Sequence, residues 1–171
     1  MDQYFSIGKI VATFRLQGEV ILEHNLGQKT NFKGIQVLFV ESVADRFLPY
    51  FIVQASAKND KETFIKLEGI DSKEAAHQLC AKKVWLSQDD FRKVAGKSAP
   101  ISLIGYMLLD KEKELGLIEE VIEQPHQILC RITMNEKEVL IPLNESTIQN
   151  ISHPKKQVHT SLPEGLLEIY L

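Results

Sequence analysis

A succession of short β-type runs, each closed off by turn residues, constrains this chain more than any other feature. Tyr4 to Ala12, Gly18 to Glu23, Gly34 to Glu41, Phe47 to Ala55 and Glu62 to Leu67 are separated by turn or polar segments. Closely spaced short strands of this kind predict a small antiparallel barrel. Asp71, Ser72, Lys73 and Glu74 then read as an acidic cap with a glutamate three residues on that bonds back to it, and Ala75, Ala76 and Leu79 continue as a short helix. Val84, Trp85 and Leu86 form another brief strand, and Ser87 to Val94 a capped, polar helical turn.

Ala95 to Pro100 carries glycine, lysine, serine and proline without periodicity, which predicts a linker. The expected organisation is a domain over 1–94, a linker over 95–100 and a second domain over 101–171. After the linker, Ile104 to Leu109 and Leu115 to Ile122 flank a charged hairpin tip at Asp110 to Glu114. Ile128 to Met134 and Glu138 to Pro142 flank a second tip at Asn135 and Glu136. A polar stretch, His153 to Lys156, precedes a last short strand at Gln157 to Thr160. The final ten residues hold four leucines with Ile169 and Tyr170. Such a tail has little reason to sit in water, so it either plugs a barrel or lines a partner site.

The chain has 171 residues, 44% hydrophobic and 25% charged, which fits a soluble globular protein and excludes a disordered or fibrous one. The first residues lack the basic start and apolar run of a signal peptide, and apolar stretches such as Val37 to Val40 fall far short of a bilayer span. A cytoplasmic protein with no membrane partner is expected. Cys80 and Cys130 each sit in an apolar pattern and predict two reduced, buried thiols. Charge is uneven: through Lys97 there are 14 Lys and Arg against 12 Asp and Glu, and from Ser98 onward 6 against 11. A mildly basic first part joined to an acidic second part suggests two faces that meet two different partners.

Signals for catalysis are weak. The five histidines, His24, His77, His126, His153 and His159, lack ligand spacing and read as surface or capping residues. There is no Cys-x-x-Cys, nucleophile elbow or phosphate-binding glycine loop. Asp89 and Asp90 read as early-turn residues that complement a helix dipole. Glu119 and Glu120, adjacent on a strand, point to opposite faces. No catalytic residue, metal site or cofactor is predicted. For RNA the candidates are Lys9 and Arg15, placed near a barrel rim by the first hairpin, and Lys82 and Lys83 beside Trp85. Each has a plainer reading, as an exposed charge flanking a hairpin or an aromatic in the core.

Gly8, Lys9 and Ile10 with Leu16, Gly18, Glu19 and Val20, followed by Leu67 to Asp71 and the pair Ala75 and Ala76, resemble the first domain of the RimM ribosome-maturation family. Leu103, Ile104 and Gly105, then Leu115 and Gly116, Glu138 to Pro142, and Leu162 to Leu167 resemble its second, PRC-type domain. The resemblance spans the whole chain in the family's order. The chain departs from the family's pattern in the first hairpin, at Ala12, Phe14 and Arg15, and at Ser98 to Ile101, where the family tends to carry an aromatic pair. The resemblance implies a mainly β protein of two small antiparallel barrels, a translation-factor-like one and then a PRC-type one. It implies a non-enzymatic, monomeric factor that binds the immature 30S subunit and 16S rRNA, helps the subunit's head form and docks on ribosomal protein S19. Ile104, Gly105, Pro142, Leu143, Leu162, Pro163 and Leu166 are the expected protein-partner contacts, with core packing the plainer reading for at least half of them. At the end of a PRC-like barrel, Leu162, Leu166 and Leu167 become a buried plug, with Pro163 and Glu164 on an exposed rim. The alternatives are a metal-dependent hydrolase that trims rRNA and a PRC-barrel adaptor for an unrelated protein.

Overall fold

Three strands in the first half of the chain bury every second side chain, and the buried ones are chiefly apolar. In β2 (Glu19–His24) these are Val20, Leu22 and His24, in β5 (Glu62–Leu67) Thr63, Ile65 and Leu67, and in β6 (Lys83–Ser87) Val84 and Leu86. With β1 (Tyr4–Phe14), β3 (Val37–Val43) and β4 (Arg46–Ala57) they close a barrel in the order β1-β2-β5-β4-β3-β6. The computed structural model describes residues 3–96 and 99–170. Met1, Asp2, Lys97 and Ser98 of the expected linker, and the last leucine of the tail, lie outside the described residues. Two compact units emerge, Met1–Ala99 and Pro100–Leu171.

Bulges let the six strands bend into a ring. The register of β1 shifts against both neighbours, between Ser6 and Gly8 and between Ile10 and Ala12, and that of β4 shifts between Ile52 and Gln54. Pro49 sits in the half of β4 that pairs only with β3, because pairing with β5 starts at Ile52. A proline there interrupts no second ladder. Two short helices pack on the barrel. In α1 (Lys73–His77) the cap is Ser72, whose hydroxyl accepts from the Ala75 amide at 3.1 Å, and not Asp71 as the sequence suggests. Asp71 is instead drawn to Lys66, 2.9 Å away. In α2 (Gln88–Val94) Ser87 caps the helix, with Phe91 and Val94 inward.

The second unit opens with a 3-10 turn, Pro100–Leu103, followed by β7 (Met107–Asp110), β8 (Lys113–Leu117), β9 (Glu120–Gln124), β10 (Gln127–Met134), β11 (Lys137–Leu143), β12 (Ile148–Ser152) and β13 (Gln157–Thr160). These form a three-stranded sheet, β11-β10-β9, and a four-stranded sheet, β12-β13-β7-β8. The expected strand over Ile104 to Leu109 starts only at Met107, because the chain is still turning at Gly105. The expected run Leu115 to Ile122 splits in two where the chain changes sheets. The Ile118 amide bonds the Tyr106 carbonyl, and the next amide, Glu119, bonds the Arg131 carbonyl of the other sheet. β12, rich in Gln, Asn and Ser, carried no strand signal. β13 pairs with β7 in parallel, a departure from the expected all-antiparallel arrangement. The long path through β8 to β12 supplies the crossover a parallel pair requires.

The leucine tail is only partly a plug. Leu162 is buried, and its amide donates to the Asp110 carboxylate at 2.8 Å. Beyond it the chain turns outward at Pro163, leaving Leu166 and Leu167 half-buried and Ile169 75% exposed. Cys130 is buried as expected, and burial pushes its thiol up to about 12. Cys80 differs, because the end of α1 leaves it half-exposed. His24 also departs from expectation, as a core histidine. Leu162→Ala should cost about 2–4 kcal/mol and Ile169→Ala under about 0.5 kcal/mol in urea unfolding of the full chain. Equal effects would mean the tail closes the core along its whole length.

Candidate partner surfaces

The first hairpin is held by a backbone contact that two separate sequence motifs create. Gly18 ends the β1–β2 turn at φ +88, and a Cβ there would lie 2.0 Å from the Ile70 carbonyl oxygen. The turn after β5 therefore rests directly on the hairpin tip. Lys66 clasps that turn, its ammonium donating to the Ile70 carbonyl and to Asp71. At the tip Arg15, with φ 59, lies over the Phe14 ring at 4.8 Å, and Phe14 stacks on Phe64 at 4.2 Å. Arg15 is exposed, with its guanidinium over the Phe14 ring in a cation–π geometry.

The four cationic RNA candidates do not form one patch. Lys9 and Lys83 are direct cross-strand partners and both are exposed. Arg15 lies six residues further along β1 and its turn, roughly 20 Å away at strand spacing. Lys82 is half-buried, with its carbonyl accepting from the Ile10 amide. Trp85 is neither core nor a free stacking platform. Its ring packs on Phe47 at 4.9 Å, and its Nε1 donates to Glu41 at 3.3 Å on the barrel's outer face.

Of the residues expected to meet a protein partner, Ile104, Leu143 and Leu162 are buried and serve the core of the second unit. Gly105, Pro142 and Leu166 are half-exposed and Pro163 is exposed. The surface that sequence reasoning missed is the outer face of the three-stranded sheet. Pro142 of β11, Leu129 of β10 and Ile122 of β9 stand side by side in register. The next row outward is Leu140, Arg131 and Glu120. Arg131 gathers three carboxylates, Glu119 at 3.2 Å, Glu120 at 3.0 Å and Glu138 at 3.0 Å. Thr133 adds a hydroxyl to Glu119 at 2.9 Å. Glu119 and Glu120 thus converge on one guanidinium rather than diverge, because Glu119 lies in the link before β9 and not on the strand. One guanidinium among three carboxylates leaves the row negative beside an apolar row. The signal in the sequence was cross-strand pairing, which only a correct register exposes.

Below the loop over 25–36, His24 accepts from the Leu26 amide at Nδ1, 3.3 Å away, so the ring's proton sits on Nε2. Nε2 is buried with no hydrogen-bond partner among the described residues. Burial holds the imidazole below its ordinary value. Protonation would place a second proton on Nδ1 and break its bond to the loop. Among the described residues no group of three or more His, Cys, Asp or Glu is arranged to hold a metal ion. No described helix is long and apolar enough to cross a membrane.

Two domain families match the chain: residues 5–91 fit the RimM N-terminal domain and residues 100–166 the RimM PRC barrel domain. The ribosome maturation factor RimM of Amoebophilus asiaticus is 29% identical, over 95% of this chain and 93% of its own. That of Parabacteroides distasonis is 29% identical over 98% of both. A solved structure of a 16S ribosomal RNA processing protein RimM from Pseudomonas aeruginosa is 16% identical, with a TM-score of 0.43, over 94% of this chain and 98% of that one.

Two outcomes follow from this geometry. Gly18→Ala should lower the unfolding midpoint markedly, by about 2 kcal/mol or more, since both φ and the Ile70 carbonyl oppose a side chain. For His24, the unfolded chain binds the extra proton near pH 6.5 while the folded one resists it, so stability is full above that pH and falls as pH drops below it. His24→Asn, which keeps an acceptor for Leu26, should flatten the fall measured by thermal melts between pH 6.5 and 5. An unchanged profile would assign it to other groups.

Proposed function

The chain belongs to the RimM family, and from that membership we propose that it is a cytoplasmic ribosome maturation factor acting by binding rather than by chemistry. Its target is the immature 30S subunit and its 16S rRNA, during late assembly of the subunit head. The observation that carries this reading is coverage: both RimM domain families match, in order, and relatives named as ribosome maturation factors align over nearly their full length. A binder that prefers one state of an assembling particle shifts its population without making or breaking a bond.

Division of labour follows the charges. The second unit offers a basic ribosomal protein, S19 in our reading, the apolar row Ile122, Leu129 and Pro142 beside the acidic row around Arg131. Apolar contact supplies affinity, and opposite charge steers the encounter and rejects acidic competitors. Pro163 and the half-exposed Gly105 and Leu166 serve as secondary contacts, and the buried Ile104, Leu143 and Leu162 pack in the core of the unit. The first unit offers RNA the Lys9 and Lys83 pair, the exposed Arg15 and the flank at Lys82, positions suited to phosphate contacts that orient without reading sequence. The protein works as a monomer without a cofactor.

Purified S19 should bind the protein in low salt, and Glu119→Lys with Glu138→Lys should weaken that binding about tenfold or more, the loss shrinking as salt rises. Equal affinities for variant and parent would overturn the electrostatic part. Precursor 16S rRNA incubated with the protein and magnesium should remain uncut; cleavage would replace the binding reading with the hydrolase one.

A further inference from the structure

The loop joining β2 to β3 forms, with α2, a cationic concavity separate from the residues assigned to RNA above. The geometry points to this concavity as a seat for the phosphodiester backbone of RNA, with Lys29 and Lys33 as the phosphate-binding cations. The assignment rests on the reading of the protein as an rRNA-binding maturation factor. The concavity measures about 370 Å³, and Gln28, Lys29, Thr30, Asn31, Lys33 and Lys93 line most of it, with no carboxylate among the lining residues. Lys93 shares its charge with Asp90 at 2.9 Å. Lys29 and Lys33 make no ion pair among the described residues and are exposed. Two ammonium groups without an ion pair among the described residues thus line one concavity.

The loop is built to hold that shape. Leu26, Phe32 and Ile35 are buried under it. Thr63 donates to the Thr30 carbonyl at 2.9 Å, and the Gly96 amide to the Leu26 carbonyl at 2.7 Å. Between those anchors the Thr30 hydroxyl accepts from the Phe32 amide and the Asn31 side chain from the Lys33 amide, which fixes the backbone between Lys29 and Lys33. Gln28 donates to the Val94 carbonyl at 2.9 Å and so occupies an acceptor at the helix end that would otherwise repel phosphate. Preorganised cations bind with less ordering cost than lysines on a mobile loop. No aromatic ring lines the site, so it contacts backbone and not bases.

The test uses the full chain with Lys29→Gln and Lys33→Gln together, and a control pair, Lys111→Gln with Lys113→Gln. Binding to an in vitro precursor 16S rRNA transcript is titrated over a series of salt concentrations, with sedimentation alongside precursor subunits as a second arm. The Lys29 and Lys33 pair should weaken transcript binding on the order of tenfold near 0.1 M salt and make the plot of log affinity against log salt shallower by about 1.4, for two single-strand phosphate contacts. The control pair should change neither. Parent-like affinity and slope in the Lys29 and Lys33 variant, with the parent binding RNA, would overturn this site and leave the proposed function standing. A parent that binds neither transcript nor subunits would overturn both. An equal loss towards polyglutamate, bound by the parent as well as RNA is, would make an acidic protein segment the occupant and overturn the assignment to RNA.

Discussion

A ring of six short strands has room inside only for alternate side chains, and that single limit organises the first half of this protein. Inward positions are chiefly apolar, and Thr63 is bonded through its hydrogen bond to Thr30; His24, whose Nε2 has no partner among the described residues, departs from this. Every outward position is free to carry charge. The bulges in β1 and β4 bend the ring, and they also set which side chains reach its rim. Lys9 and Lys83 face outward because their neighbours Ile10 and Val84 are committed inward, and Arg15 is exposed at the hairpin turn. The cationic loop depends on the same core, since Phe32 and Leu26 hold it by burial.

The second half answers the same problem with two sheets. Its chain changes sheets between Ile118 and Glu119, on consecutive amide bonds to Tyr106 and Arg131. That switch explains why an acidic pair gathers at Arg131: the link brings Glu119 to the side where β9 already presents Glu120, and β11 adds Glu138. A guanidinium offers a fork of donors, so it satisfies several carboxylates while leaving the surface negative. The first unit carries a slight excess of Lys and Arg and the second an excess of Asp and Glu.

Much of the fold was legible because alternation is local. The strands at Glu62–Leu67 and Gln157–Thr160 match their expected limits, and Ser87 to Val94 folds as the capped helical turn the residues describe. Where alternation failed, so did the reading. Ile148 to Ser152 pairs through backbone alone and gave no signal, and the break at Ile118 depends on partners in two different sheets. The candidate sites were less legible than the fold. Ile104, Leu143 and Leu162 carry two readings in sequence, partner contact or core, and all three are buried. Leu129 and Ile122 became neighbours only through register.

By itself the sequence determined the strand-rich class, the opposite charge of the two halves, and the family motifs at Leu16–Val20 and Leu67–Asp71. These are properties of composition and short spacing, which folding does not alter. Tertiary structure decided that those motifs touch, with Ile70 against Gly18, that His24 is a core residue, and that the leucine tail is buried at Leu162 and exposed at Ile169. It also brought Lys29 and Lys33 to one concavity and three carboxylates to one arginine. Each depends on long-range burial, in which the same side chain is core or surface according to what the rest of the chain lays over it.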